Sequence, residues 1–308
     1  MYAVTGVGGY VGAETARRLL EEVPADQLIV TSRNETALER WAAQGVHARR
    51  ADYNDDDALV RAFQGAHALF MVSGMDVGPR RQRQHRNVVE AAVAAGVQRI
   101  VYTSFLGTEK PEVTSLEVTD HKLTEALIRE SGMEYRFMRN SQYADAMAEN
   151  QAVIAITSGQ SIGNTGGGRV GFVARDDVAA VAAKLLLGQG EPNTGYDVTG
   201  PEALSYAEVG AMITELSGAP ITIVDLSDEE MYAMWDGLGV PRGSDGDFSN
   251  SPVPWCSDGM VSFGRMVRNG QLSAVTDVVE RFTGRKPKSL RELMLERMAS
   301  WPPAPVAR

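Results

Sequence analysis

The chain has 308 residues, about twice a typical ~150-residue domain, so one large domain and a domain with an appended lobe are both open. Forty acidic against thirty basic side chains leave a net charge of −10, which excludes nucleic-acid or anionic-membrane binding by bulk charge. An apolar fraction of 44% supports a core, and a single cysteine, Cys256, with four scattered histidines excludes an internal disulfide scaffold and a Cys/His zinc site.

From Tyr2 to about Arg139, short apolar runs alternate with amphipathic stretches. The runs read as strands at Tyr2–Thr5, Leu28–Thr31, Val46–Arg50, Ala68–Val72, Arg99–Thr103 and Tyr135–Met138. Helical patterns begin near Tyr10, Glu35, Asp56, Arg80 and Thr119, with Ser32 and Asn34 supplying caps before the second. Repeated strand, helix, strand implies a parallel sheet covered on both faces.

The first junction carries chemistry. Thr5-Gly6-Val7-Gly8-Gly9-Tyr10-Val11-Gly12 follows the first strand and opens the first helix, the context of a dinucleotide site. Gly6 allows the tight turn, Gly9 lets backbone N–H groups approach a pyrophosphate, and Gly12 lets helix and strand pack closely; the phosphates meet the helix N-terminus. The second strand ends in Thr31-Ser32-Arg33-Asn34. An acid there would accept hydrogen bonds from a ribose, as NAD sites require; Arg33 instead suits a 2′-phosphate, so NADP (NADPH) is the expected cofactor. A solvated surface arginine is the alternative reading.

The run Pro79–Arg86, rich in arginine, is expected to be the solvated face of a helix that turns Val88, Val89 and Ala92 inward; a nearby anion is the alternative. After residue 140 Gly-rich turns appear, with helices near Asp177–Leu187 and Tyr206–Ser217. Gly159-Gln160-Ser161-Ile162-Gly163 fits a hydrolase GxSxG, but no histidine follows His121, so a triad cannot be completed. Residues 226–264, rich in Met, Trp and Gly, form either a substrate lid or a small lobe core. The tail Pro302-Pro303-Ala304-Pro305 cannot continue a helix and is expected to fray.

With its TGxxGxxG cradle, the Ser32-Arg33-Asn34 turn, Ala51-Asp52-Tyr53 closing the third strand, His121 followed by Thr124-Glu125, and Arg139-Asn140 closing the sixth, the chain resembles the NmrA-like atypical short-chain dehydrogenases. Within them it is similar to the NAD(P)H:quinone oxidoreductase and triphenylmethane reductase group, over roughly residues 2–225. The resemblance implies a doubly wound parallel α/β Rossmann sheet with a small C-terminal α/β substrate lobe. Residues 1–150 would form the NADP-binding core, and residues 151–308 a mixed segment completing it and forming the lobe. It implies Thr5, Gly6, Gly9, Tyr10, Val11 and Gly12 around the pyrophosphate, Arg33 on the 2′-phosphate, and Asp52 with Tyr53 beside the adenine. Val72, Ser73 and Gly74 would line the ribose, Thr103 and Ser104 the nicotinamide side, Asn140 the nicotinamide end, and Tyr143 the substrate cleft. For Asp52 a helix cap or turn, and for Asn140 and Tyr143 ordinary loop and core roles, stay open.

None of the nine tyrosines is followed four residues on by lysine, so the YxxxK dyad that tunes a phenol for acid–base work is absent. What remains is direct hydride delivery to a conjugated acceptor, with His121 and Lys122 as candidates to donate a proton or steady negative charge and a surface or helix-capping role as the alternative for both; with the resemblance, this implies a hydrophobic aromatic, quinone-like or conjugated carbonyl acceptor. A non-catalytic NADP-binding redox sensor is the competing reading. A cytoplasmic location is expected from the cysteine usage and from the lack of an apolar run of ~18 residues or a charged leader. The partners expected are a small hydrophobic substrate, with no nucleic acid and no membrane; a homodimer is left open.

Overall fold

Strand β1 (Tyr2–Val4) runs into a glycine turn and helix α1 (Tyr10–Leu19), and the pattern repeats with β2 (Leu28–Ser32), α2 (Glu35–Ala42), β3 (His47–Arg50), α3 (Asp56–Phe63), β4 (Ala68–Met71), α4 (Pro79–Ala94), β5 (Arg99–Phe105), α5 (Leu116–Glu130) and β6 (Glu134–Asn140) in the computed structural model, which describes residues 1–304. A π-helical turn at Ala146–Gln151 leads into α6 (Ala152–Ser158), then β7 (Gln160–Gly163), β8 (Arg169–Val170), α7 (Arg175–Leu186) and β9 (Thr194–Val198). The rest comprises β10 (Leu204–Ser205), α8 (Tyr206–Ser217), β11 (Thr222–Asp225), α9 (Asp228–Gly237), α10 (Ser257–Arg268), α11 (Val278–Thr283) and α12 (Leu290–Arg297).

The main sheet is parallel throughout, in the order β3-β2-β1-β4-β5-β6-β9. Chain order reverses between β1 and β4, which opens a crevice beyond their carboxyl ends. Alternation feeds two cores: Ala3, Leu69, Met71 and Ile100 pack with Phe63 and Val88 on one face, whereas Val4, Phe70 and Val101 pack with Leu19 and Val181 on the other. This is the doubly wound arrangement expected from the sequence. A third core joins Leu106 and Val113, just past β5, and Met147, just past β6, to Ile213, Met266 and Met294. The lobe therefore lies at the carboxyl ends of the strands.

Several elements differ from expectation. Helix α5 starts three residues before Thr119 because the Ser115 hydroxyl accepts the Val118 N–H at 3.3 Å and caps it there. The seventh strand, β9, comes from beyond residue 150 and was not foreseen. Its five residues follow a turn in which Asn193 takes φ 57°. The tail does not fray where it is described: the Trp301 indole N–H donates to the Ala148 carbonyl at 2.8 Å, and Ala304 packs on the lobe core. Pro305 lies outside the described residues. Among those residues no helix is long and apolar enough to cross a membrane.

Candidate functional site

The α1 N-terminus lacks every usual partner. Its N-cap is Gly9, no side chain caps it, and no acid lies in the first turn, so the N–H groups of Tyr10, Val11 and Gly12 are left for a ligand. Gly6 takes φ 67° to make the turn. A Cβ on Gly12 would lie 2.6 Å from the Thr5 and Gly6 carbonyl oxygens, whereas one on Gly9 would meet nothing closer than 3.6 Å. Gly12 thus serves helix–strand packing, and Gly9 keeps the approach to the N–H groups clear. Thr5 is wholly buried, and its hydroxyl accepts from the Tyr53 hydroxyl at 2.6 Å and the Val72 N–H at 2.9 Å. Tyr10 is exposed, with the Arg175 guanidinium 5.0 Å from its ring centroid.

A cavity of about 540 Å³ opens beside this turn, walled by Gly9, Arg33, Asp52, Tyr53 and the Val72–Gly74 turn. Its size suits one half of a dinucleotide. The exposed Arg33 lies at its mouth together with Arg80. Burial raises the Asp52 carboxyl, but hydrogen bonds from Asn54 and the charges of Arg33 and Arg80 hold it below the ordinary aspartate range. Asp52 also makes a turn with the Asn54 N–H at 2.9 Å, so the turn role is real, while Asp55 rather than Asp52 caps α3. Arg80 and Gln84 of α4 also line the cavity, Arg80 exposed and Gln84 buried; their run reads from the sequence as a solvated helix face, with a nearby anion as the alternative.

Past β4, β5 and β6 the polar groups are mostly spoken for. Thr103 Oγ1 accepts the Ser73 N–H at 2.7 Å, and the Ser104 hydroxyl donates to Glu125 Oε1 at 2.6 Å. Both residues are buried and brace the strand ends rather than offering a free hydroxyl. Asn140 differs: it is 2% exposed, and its Oδ1 has no hydrogen-bond partner. Its Nδ2 reaches the Tyr143 hydroxyl at 3.4 Å, and burial raises that phenol to about 12. An orphaned acceptor at a strand end suits the N–H groups of a carboxamide. The uncapped helix, the glycine cradle and this acceptor together fit a nicotinamide dinucleotide.

Two expectations about catalytic groups need correction. Lys122 turns away from the crevice, its ammonium donating to the carbonyls of Lys110 at 2.6 Å, Val113 at 2.7 Å and Pro111 at 3.3 Å, so it fastens the segment before α5. His121 is buried, with Nδ1 2.6 Å from the Tyr102 hydroxyl and its ring stacked on Phe105. Burial, with the Arg81 charge and the neighbouring His85 ring acting in the same direction, holds its imidazole well below the ordinary range. It is neutral near pH 7 and can offer a hydrogen bond but no imidazolium proton.

The basic run is also corrected: Arg81, Gln84 and His85 face inward. Burial and Arg81 lower His85 to about 3. Its Nε2 accepts the Gly74 N–H at 3.1 Å, so Nδ1 carries the proton toward Thr124 Oγ1 at 2.9 Å. His85 thereby holds the turn after β4 in place. The GxSxG serine, Ser161, lies buried within strand β7, not at a strand-to-helix elbow.

The NAD(P)H-binding family matches residues 6–188. Quinone oxidoreductase 2 of Escherichia coli is 35% identical over 243 residues, 79% of this chain and 84% of that protein. The structure of an NADPH-dependent quinone oxidoreductase from Escherichia coli complexed with NADPH superposes with a TM-score of 0.85 at 31% identity, covering 96% of this chain and 99% of that one. The triphenylmethane reductase of Citrobacter sp. complexed with NADP(H) gives 0.82 at 28% identity, covering 96% and 99%.

Proposed function

The chain belongs to the NAD(P)H-binding family, and from that premise we infer that it is an NADPH-dependent reductase of hydrophobic aromatic, quinone-like or conjugated carbonyl small molecules. The observation that carries the reading is the uncapped N-terminus of α1, with its glycine approach, opening on the cavity that Arg33 closes. When bound, the cofactor supplies a hydride. The protein's part is to hold and orient. The N–H groups of Tyr10, Val11 and Gly12 receive the pyrophosphate on the turn made by Thr5, Gly6 and Gly9. Arg33 pairs with the 2′-phosphate.

Asp52 and Tyr53 flank the adenine, Val72, Ser73 and Gly74 border the ribose, and Asn140 accepts from the carboxamide. Thr103 and Ser104 fix the strand ends beneath it, and Tyr143 closes the cleft beside Asn140. Neutral His121, held by Tyr102, sets the position of Phe105. With these groups fixed, orientation of cofactor and acceptor contributes to the rate. The single, buried Cys256 supports placement in the reducing cytoplasm.

The test is NADPH oxidation, followed at the nicotinamide absorbance, with quinones, triarylmethane dyes, aromatic ketones and enones. Turnover with an aromatic or quinone acceptor is the expected result. Tight NADPH binding with no turnover on any acceptor would replace this reading by a redox sensor.

A further inference from the structure

On helix α5, Glu117 and His121 stand four residues apart and share a face, the same spacing as the tyrosine and lysine of the missing YxxxK dyad. A carboxylic acid here occupies the place of the phenol. Glu117 is partly buried, and its Oε2 is shielded from solvent without any hydrogen-bond partner. Its Oε1 would lie 3.1 Å from a Cβ on Gly259, in the first two turns of α10, so the lobe closes on this carboxyl.

A second orphan comes from α4. Arg81 is 7% exposed, and its Nε and Nη1 make no hydrogen bond. The nearest acid, Asp120, is 3.8 Å away and already accepts from the Gly78 N–H at 2.6 Å and from Gln82 Nε2 at 2.7 Å. The guanidinium acts electrostatically on Glu117, Asp120, His85 and His121 together. Among the described residues it makes no ion pair with Glu117. Burying spare N–H groups on α4 and a spare carboxyl oxygen on α5 is costly unless something completes them. An oxygen-bearing ligand seated between the two helices would do so, and Phe105, stacked on His121 one turn further along α5, meets Phe263 of α10 with ring centroids 6.4 Å apart, an aromatic pair that suits a flat acceptor.

We propose that Glu117 donates a proton to the carbonyl oxygen of the acceptor and that Arg81 steadies the negative charge on that oxygen; the proposal rests on the reductase reading above. The cofactor supplies two electrons and one hydrogen as hydride. The Glu117 O–H bond then breaks, a new O–H bond forms on the acceptor, and the carboxylate takes a proton back from solvent. Burial pushes the Glu117 carboxyl up to about 7, with Arg81 pulling it down and Asp120 pushing it up. From α10 the Cys256 thiol faces it, raised by its own burial and by Glu117. A proton is therefore held there at neutral pH.

The experiment pairs two measurements on wild type, Glu117→Gln and Arg81→Gln. Carbon-13 NMR titration of glutamate carboxyls in the cofactor-free protein should show one group with a midpoint near 7, absent from Glu117→Gln and shifted upward in Arg81→Gln. With cofactor, Glu117→Gln should lower quinone turnover about a hundredfold, within the ~10²–10⁴ of general acid catalysis. NADPH affinity and the native fold by circular dichroism should be kept. Reduction of a cationic triarylmethane dye, which hydride capture neutralises without a proton, should change less than about threefold. Equal losses on quinone and dye, an unchanged quinone rate, or no carboxyl titrating near 7 would overturn the Glu117 assignment alone. A wild type inert with every acceptor would overturn the reductase reading first.

Discussion

In the proposed function, cofactor choice turns on Arg33 and cofactor access on Gly9. Arg33 is exposed at the mouth of the cavity beside Asp52, where it would pair with a 2′-phosphate, which NADH lacks. Arg33→Ala should weaken NADPH roughly tenfold or more, the equivalent of one charge-assisted contact of ~1.5–3 kcal/mol, and leave NADH nearly unchanged. Fluorescence titration with both cofactors checks it, and equal losses would remove the 2′-phosphate assignment. Both residues were legible in the sequence because their chemistry is local: a glycine turn after a strand, and the absence of an acid where β2 ends. Lys122, His85 and Arg81 were not, because nothing in a run of basic residues says which side chain a lobe or neighbouring helix will cover. His85 and Arg81 meet Thr124 and Asp120 of α5, 39 residues on in each case, and Lys122 is taken up by the carbonyls of the irregular segment before its own helix.

At the scale of elements, α5 is the strut between the sheet and the lobe. Glu125 on its inner face accepts from the hydroxyls of Ser104 and Thr108 and pairs with Arg139 of β6 at 3.0 Å. Burial raises this carboxyl, but Arg139 and the two hydroxyls more than offset that and hold it below the ordinary glutamate range. Glu125→Leu would leave the partly buried Arg139 with Glu109 alone, 3.6 Å away, and the Ser104 and Thr108 hydroxyls without their acceptor, a loss of up to about 3–5 kcal/mol, measurable by urea unfolding; a loss under about 1 kcal/mol would show the pair to be dispensable.

Glu117 behaves oppositely. Its carboxyl, raised by burial from 4.5 to about 7, binds a proton more tightly folded than unfolded. Its contribution to stability is fully present below about pH 4.5 and is lost as pH rises through 7. The stability of wild type relative to Glu117→Gln should fall across that window, by no more than a few kcal/mol; a pH-independent difference would contradict the raised carboxyl. The six strands before residue 140 could be read from alternating apolar runs. Strands β7 to β11 could not, since most span two to five residues and owe their pairing to partners distant in the chain.

At the scale of the whole molecule, the reversal of strand order between β1 and β4, the uncapped α1 and the lobe over the carboxyl ends all converge on one crevice. The fold class and the cofactor half of that crevice were visible in the sequence. The acceptor half was left open, residues 226–264 reading as either a substrate lid or a small lobe core, because nothing in that stretch says which distant element it packs on; α10 meets α5 through Gly259 and Ser262. The central claim is that a dinucleotide seated on α1 reduces an aromatic or quinone acceptor. Gly9→Val serves as its control, because Gly9 has φ −106° and open space around its Cβ position, so the variant folds while its side chain blocks the pyrophosphate. The most direct measurement is quinone-dependent NADPH oxidation by wild type and Gly9→Val, with circular dichroism confirming that both are native. Turnover by wild type and none by Gly9→Val is the expected result; turnover retained in the variant, or absent from wild type, would contradict it.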